Sequence, residues 1–171
     1  MGSGEHRKGG SGIWRAAAIV LPVHGSAQDI LSQFAEELRG LGKTVGGLIQ
    51  RGLKEEAELV ALDTGESFPL MQKLGNSACC AIDNQEMASA CMVVRRAVEH
   101  ACDLVIVNKF GHMEIDGDGL ADEMMAAMAA GLPLLTTVTE NRAAAWQSFT
   151  GGMTQLLPPD LEAVRHWWRS L

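Results

Sequence analysis

The segment Asn108-Lys109-Phe110-Gly111-His112-Met113-Glu114 gathers an amide, an ammonium, an imidazole and a carboxylate around one glycine. It follows Asp103 and the apolar run Leu104-Val105-Ile106-Val107. An apolar run that breaks off into polar, glycine-containing sequence reads as a buried parallel strand opening into a loop at its carboxyl end, where α/β sheets place their ligands. Metal-dependent phosphoryl chemistry would need an acid at such a strand tip to hold Mg²⁺. Asn108 and Lys109 stand there instead, a hydrogen-bond donor and a positive charge that suit a metal-free oxyanion. In this reading Lys109 takes the electrostatic part of a metal. Glu114 orients Lys109 or a water, or pairs with His112.

Further candidates come from the other loops expected at the same edge, since right-handed crossovers bring all strand-to-helix loops together. His24, Gly25 and Ser26 follow the first strand, Arg51 the second, and Arg142 the last. Arg51, Lys109 and Arg142, with His24 and His112, would gather positive potential there. The amino end of the first helix would add about 0.3 to 1 kcal/mol for an anion. The competing reading is that these cations pair with Glu140, Glu114 and Asp116 and only solvate the rim. A phosphate cradle of the form G-x-x-x-x-G-K-[ST] would lie between the first strand and first helix, but Leu21-Pro22-Val23-His24-Gly25-Ser26 keeps only a glycine followed by a hydroxyl. Gly42-Lys43-Thr44 imitates the end of that motif. Glu37 occupies the place of its first glycine, and the tripeptide falls between a helix and a strand.

Soft-metal binding is a second chemistry. Cys79-Cys80, preceded by Gly75-Asn76-Ser77, could join His24 or His112, although structural zinc sites use Cys-x-x-Cys pairs rather than adjacent cysteines. The same loop could instead close over an anion, which makes Asn76, Ser77 and Cys80 second-rank anion candidates. Neither metal nor cofactor is required by the anion reading. A third class is a non-catalytic interaction protein, with Trp146, Phe149, Trp167 and Trp168 as aromatic anchors and a homodimer as the simplest assembly.

The elements that must position these groups alternate strand and helix. Residues 16–23 read as a buried strand. Ser26 with Asp29 resembles a capping box ahead of a helix whose apolar face is Ile30, Leu31, Phe34, Leu38 and Leu41. Residues 44–50 read as the second strand, and residues 58–72 as a hairpin insertion turning at Asp63-Thr64-Gly65. Asp83 with Glu86 opens a long helix with the stripe Met87, Cys91, Val94, Val98 and Ala101, so Cys91 is expected in the core. Leu120, Met124, Ala127 and Met128 mark another helix, residues 133–138 a strand, residues 143–149 a short helix, and residues 159–170 a closing helix. The fold class is therefore α/β, with three layers: a mostly parallel sheet, helices on both faces, and a β-hairpin insertion.

With 171 residues the chain suits one domain, expected over residues 13–171 after a flexible Gly/Ser-rich tail at residues 1–12. A net charge of −7 without a basic stripe argues against nucleic acid. The longest apolar stretch, residues 124–135, is interrupted by Gly131 and Pro133 and falls short of the ~20 residues that span a bilayer. Residues 15–28 imitate a secretory signal, but cleavage there would remove the first strand. The 4 cysteines fit no disulfide framework, which suits reduced thiols and a cytoplasmic setting.

From Arg15 to Pro159 the order strand, helix, strand, hairpin with Leu62-Asp63-Thr64-Gly65, helix, then Val105-Ile106-Val107-Asn108-Lys109-Phe110-Gly111-His112-Met113-Glu114 resembles the small P-loop nucleoside-triphosphatases of bacteria and archaea, whose acidic strand end runs Asp-Glu-x-Gly-x-Met-Glu. It is similar, more closely, to an uncharacterised bacterial domain family with Asn-Lys-Phe-Gly at this place, often encoded beside molybdate-transport genes. Gly111, Met113 and Glu114 match the triphosphatases. Asn108 and Lys109 replace their acid pair, and His24 to Ser26 their phosphate loop. The resemblance implies a degenerate P-loop-like fold, a molybdate, tungstate or nucleotide ligand, and a link to molybdenum or tungsten homeostasis. It implies no efficient triphosphate hydrolysis, with a slow triphosphatase as the alternative.

Overall fold

Apolar runs that are buried on both faces pair with one another before anything else, and four of them build the centre of the sheet. A computed structural model describes residues 14–73 and 80–171. The tail at residues 1–12 and Asn76, Ser77 and Cys79 lie outside these described residues, as does the side chain of Cys80. Strand β1 (Ala16–Leu21) leads to helix α1 (Gln28–Gly40) and strand β2 (Val45–Arg51). Strands β3 (Glu58–Ala61) and β4 (Ser67–Pro69) form an antiparallel hairpin, followed by β5 (Met71–Lys73) and β6 (Cys80–Ile82), which pair only with each other. Helix α2 (Asn84–Glu99) delivers the chain to β7 (Leu104–Val107). Then come α3 (His112–Ile115), α4 (Ala121–Ala129), β8 (Leu134–Thr139), α5 (Ala143–Thr150), β9 (Gln155–Leu157) and α6 (Leu161–Arg169).

The 7-stranded sheet runs β4-β3-β2-β7-β8-β1-β9. Pairs from β2 to β9 are parallel, and β3 and β4 extend the edge antiparallel. Alternation along the strands sorts the core into two halves. Ala16, Ala18, Val105 and Val107 face α2, α4 and α5, whereas Ala17, Ile19, Leu104 and Ile106 face α1 and α6. This is the expected three-layer α/β architecture. The adjacent strands β1 and β8 send the chain in opposite directions, α1 toward β2 and α5 toward β9. Their carboxyl ends are thus a topological switch point, where a crevice opens.

Gly47 shows how tightly the sheet is closed. Its φ is +106°, and a Cβ there would lie 1.9 Å from the Ile106 carbonyl oxygen. Only glycine lets β2 approach β7 at that residue.

Several boundaries differ from the sequence expectation. The first strand ends at Leu21, and Val23 is exposed. Helix α1 starts at Gln28, whose N–H donates to Ser26 Oγ at 3.3 Å, and no reciprocal bond from Asp29 completes a capping box. Leu41 lies past the helix and is exposed, so the buried face is Leu31, Phe34, Ala35 and Leu38. Asp83 does cap α2, its Oδ1 accepting the N–H groups of Gln85 and Glu86 at 3.0 and 3.1 Å. The stripe on α2 is Ala90, Val93, Val94 and Ala97, and Ala101 lies beyond the helix end with φ +49°. The hairpin insertion stops at Pro69, because Leu70 bends the chain into the second small sheet. Strand β9, too short to leave a periodic signal, is an element that sequence periodicity passes over.

Candidate functional site

The tip of β7 is fixed from both sides. The Asn108 N–H donates to the Leu48 carbonyl at 3.1 Å, and the Phe110 N–H to the Thr137 carbonyl at 3.0 Å. Asn108 is 8% exposed, and its Oδ1 accepts the Thr137 hydroxyl at 2.7 Å. Phe110 is buried against Trp146 and Phe149, with ring centroids 5.2 and 5.1 Å away. Lys109, between them, stays on the surface. Trp146 and Phe149 are thereby part of the support under the tip rather than exposed anchors. On α6, Trp167 is buried in the core, while the half-buried Trp168 meets Phe34 edge-on at 6.2 Å.

Lys109 borders a cleft of about 360 Å³ at the carboxyl edge of the sheet. Gly25, Ser26, Ala27 and Gln28 from the first crossover, Gln50 from β2, Asn108 and Phe110 from the β7 tip, Thr137 and Thr139 from β8, and Arg142 line it. No Asp or Glu is among its lining residues, and Lys109 and Arg142 are its cations. The six ion pairs found among the described residues use Arg39, Arg95, Arg96, Arg165 and Arg169. Lys109, Arg142 and Arg51 take part in none of them, so the rim cations are not neutralised by Glu140, Glu114 or Asp116.

The other candidates separate. Within the first crossover, the Gly25 N–H donates to the Pro22 carbonyl at 2.8 Å and so is spent on a turn rather than aimed at a ligand. His24 is exposed in that turn and does not line the cleft. Arg51 falls one residue after Gln50 and therefore projects to the other side of β2, opposite Glu58. His112, the first residue of α3, and Gly111 line a neighbouring cleft with Lys109. Glu114 is 7% exposed, and its two oxygens accept the N–H groups of Gly111 at 2.9 Å and Leu120 at 3.2 Å. It clasps α3 to the start of α4 and forms no ion pair with Lys109 or His112. Gly119 makes room for this clasp: its φ is +59°, and a Cβ would stand 2.4 Å from Glu114 Oε1.

Gly42-Lys43-Thr44 lies at the opposite edge of the sheet. The Thr44 N–H donates to Asp103 Oδ2 at 2.8 Å, tying the start of β2 to the start of β7. Gln28, Gln50, Thr137 and Thr139 are cleft residues that carry no sequence signature; only the turn-and-strand positions around them do. Cys91 is half-buried, donating to the Gly119 carbonyl at 3.5 Å, and burial, reinforced by the Glu123 charge, pushes its thiol up to about 11. Among the described residues, no cluster of three or more His, Cys, Asp or Glu side chains could hold a metal ion.

A three-layer sheet with its crevice beside the first crossover defines the class as an α/β protein of P-loop nucleoside-triphosphatase-like fold. A human cancer-related nucleoside triphosphatase, solved in solution, has the same fold, with a TM-score of 0.66 over 91% of this chain and 94% of that one, at 16% identity. The chain belongs to the DUF2478 family, described as a protein of unknown function, whose pattern matches residues 16–167. It is also similar to the molybdenum import ATP-binding protein ModC 2 of Bradyrhizobium diazoefficiens, 36% identical over 162 residues that cover 91% of this chain. The match covers 18% of that relative's length. No helix among the described residues is long and apolar enough to cross a membrane.

Proposed function

We propose that this chain binds a small oxyanion or the phosphate of a nucleotide in the cleft at the carboxyl edge of the sheet, without efficient triphosphate hydrolysis. One observation carries the reading: in a chain of net charge −7, this cleft is lined by Lys109 and Arg142 and by no carboxylate. Asn108, Gln50 and Thr139 add polar groups that can share an oxyanion's lone pairs. Mg²⁺ is held in phosphoryl-transfer sites through carboxylates and phosphates together, and the first half of that arrangement has no residue here. The ModC 2 relative is named a molybdenum import protein, which supports molybdate, and by its like chemistry tungstate, as one form of the anion.

Calorimetric titration with molybdate, tungstate, phosphate and ATP tests the reading. At least one should bind, and Lys109→Ala should weaken it by roughly tenfold or more, the loss expected for one charge-assisted hydrogen bond. Affinity unchanged by Lys109→Ala would remove the cleft from consideration. The fold shared with the human triphosphatase favours one second reading, a slow triphosphatase. Steady turnover of ATP with Mg²⁺ that stops on Lys109→Ala would establish it instead.

A further inference from the structure

Gln50, Asn108 and Lys109 line a second cleft as well, of about 340 Å³, so the two clefts meet at the Lys109 side chain. Their chemistry differs. The second is walled mainly by Leu59, Leu70, Met71, Ile82, Met87 and Met113. Its acid, Glu114, already accepts two backbone hydrogen bonds, and Lys54 and His112 are exposed. Strand β3, the small β5–β6 sheet and the start of α2 supply most of this wall, which gives the small sheet a place beside the site. An apolar cavity of ~150 Å³ is enough to hold benzene, so the second cleft has room for a two-ring group. Methionine side chains adapt their shape to such a guest. A bare oxyanion on Lys109 would make no contact with this apolar wall.

We infer that the ligand is an organic phosphate, with its charged end between Lys109 and Arg142 and its apolar ring portion between Met71 and Met87. The inference rests on the anion-binding reading above and narrows it from oxyanions in general to phosphate esters. It makes Lys109 the junction of a two-part site, and it makes Met87 and Met113 determinants of specificity.

Calorimetry on the full chain with inorganic phosphate, methyl phosphate, 1-naphthyl phosphate and uncharged 1-naphthol provides the test. The naphthyl ester should bind about tenfold or more tighter than methyl phosphate, since only it covers the apolar wall. Lys109→Ala should weaken both esters. Met87→Gln should collapse the naphthyl-to-methyl affinity ratio toward one, and Met113→Gln serves the same purpose if the first variant melts early by circular dichroism. Equal affinities for the three phosphates would overturn the inference and leave anion binding standing. Failure of every phosphate to bind would overturn the inference, and failure of molybdate, tungstate and ATP as well would overturn the anion-binding reading with it. Naphthol binding as tightly as its phosphate, indifferent to Lys109→Ala, would show two independent sites and overturn the two-part ligand.

Discussion

Thr137 donates its hydroxyl to Asn108 Oδ1 in a buried position at the sheet edge, which fixes the amide at the tip of β7. Thr137→Val keeps the shape and removes the donor, leaving a buried carbonyl oxygen unpaired. The expected loss is about 1 to 3 kcal/mol, read as a lower urea midpoint at unchanged slope. A different buried group gives a chemical readout. The Cys91 thiol, raised from 9.0 to about 11 by burial, should carry roughly a hundredfold less thiolate at pH 8 than a free cysteine. Alkylation followed by peptide mapping should therefore label Cys91 slowly in the native protein and quickly in urea. The linked effect on stability has a definite sign. It is fully present below the unfolded value of 9.0 and fades as pH rises from there toward about 11, because the unfolded chain releases the proton first. At this scale Asn108 and Lys109 were legible in sequence, since an apolar run ending in an amide and an ammonium marks its own tip. Glu114 was legible as a nearby acid and not as a clasp, because its partners are the backbone N–H groups of Gly111 and Leu120, which have no sequence identity.

Elements position the site through two close contacts. Gly47 allows β2 to sit against β7, and with it sets the distance from Gln50 to Asn108 across the clefts. Gly47→Ala would drive a methyl into the Ile106 carbonyl, and a destabilisation of more than about 2 kcal/mol is expected in urea unfolding. On the other face, α6 is pinned to α1 where Arg165, itself held by Glu162 of the same helix, bonds Glu37. The Arg165 hydrogen bond holds the Glu37 carboxyl below its ordinary 4.5. A depressed carboxylate adds stability above its unfolded pKa and loses it as pH falls through the folded value. Glu37→Gln should thus lower the urea midpoint at pH 7, and the gap between variant and parent should narrow as pH falls below 4.5. The helices were legible because apolar residues recur at helical spacing. Their ends were less so: Ser26 and Asp29 have the spacing of a capping box, yet the tight turn closed by Gly25 shifts the start of α1 to Gln28.

Charge is distributed unevenly over the whole molecule. The chain is acidic overall, yet the cleft at the switch point between β1 and β8 is lined by two cations and no acid. Phosphate affinity should accordingly be the same with Mg²⁺ present as with EDTA, measured by titration in both buffers. A marked gain with Mg²⁺ would mean that the metal finds ligands this arrangement does not provide. Affinity should fall with added salt, as expected for an exposed cationic site.

The sequence by itself determined the layered α/β class, the order of the main elements and the strand tip at Asn108 and Lys109. Each of these is written in local periodicity or in the abrupt end of an apolar run. Tertiary structure alone decided that Gln50 and Thr137 line the cleft with Lys109 and the expected Arg142 while Arg51 turns away, since facing across neighbouring strands depends on register and on the period of two. It also decided that β3, the small β5–β6 sheet and the start of α2 wall a second, apolar cleft against the same lysine. Residues far apart in the chain become neighbours only after the sheet has ordered its strands, and no local pattern records that event.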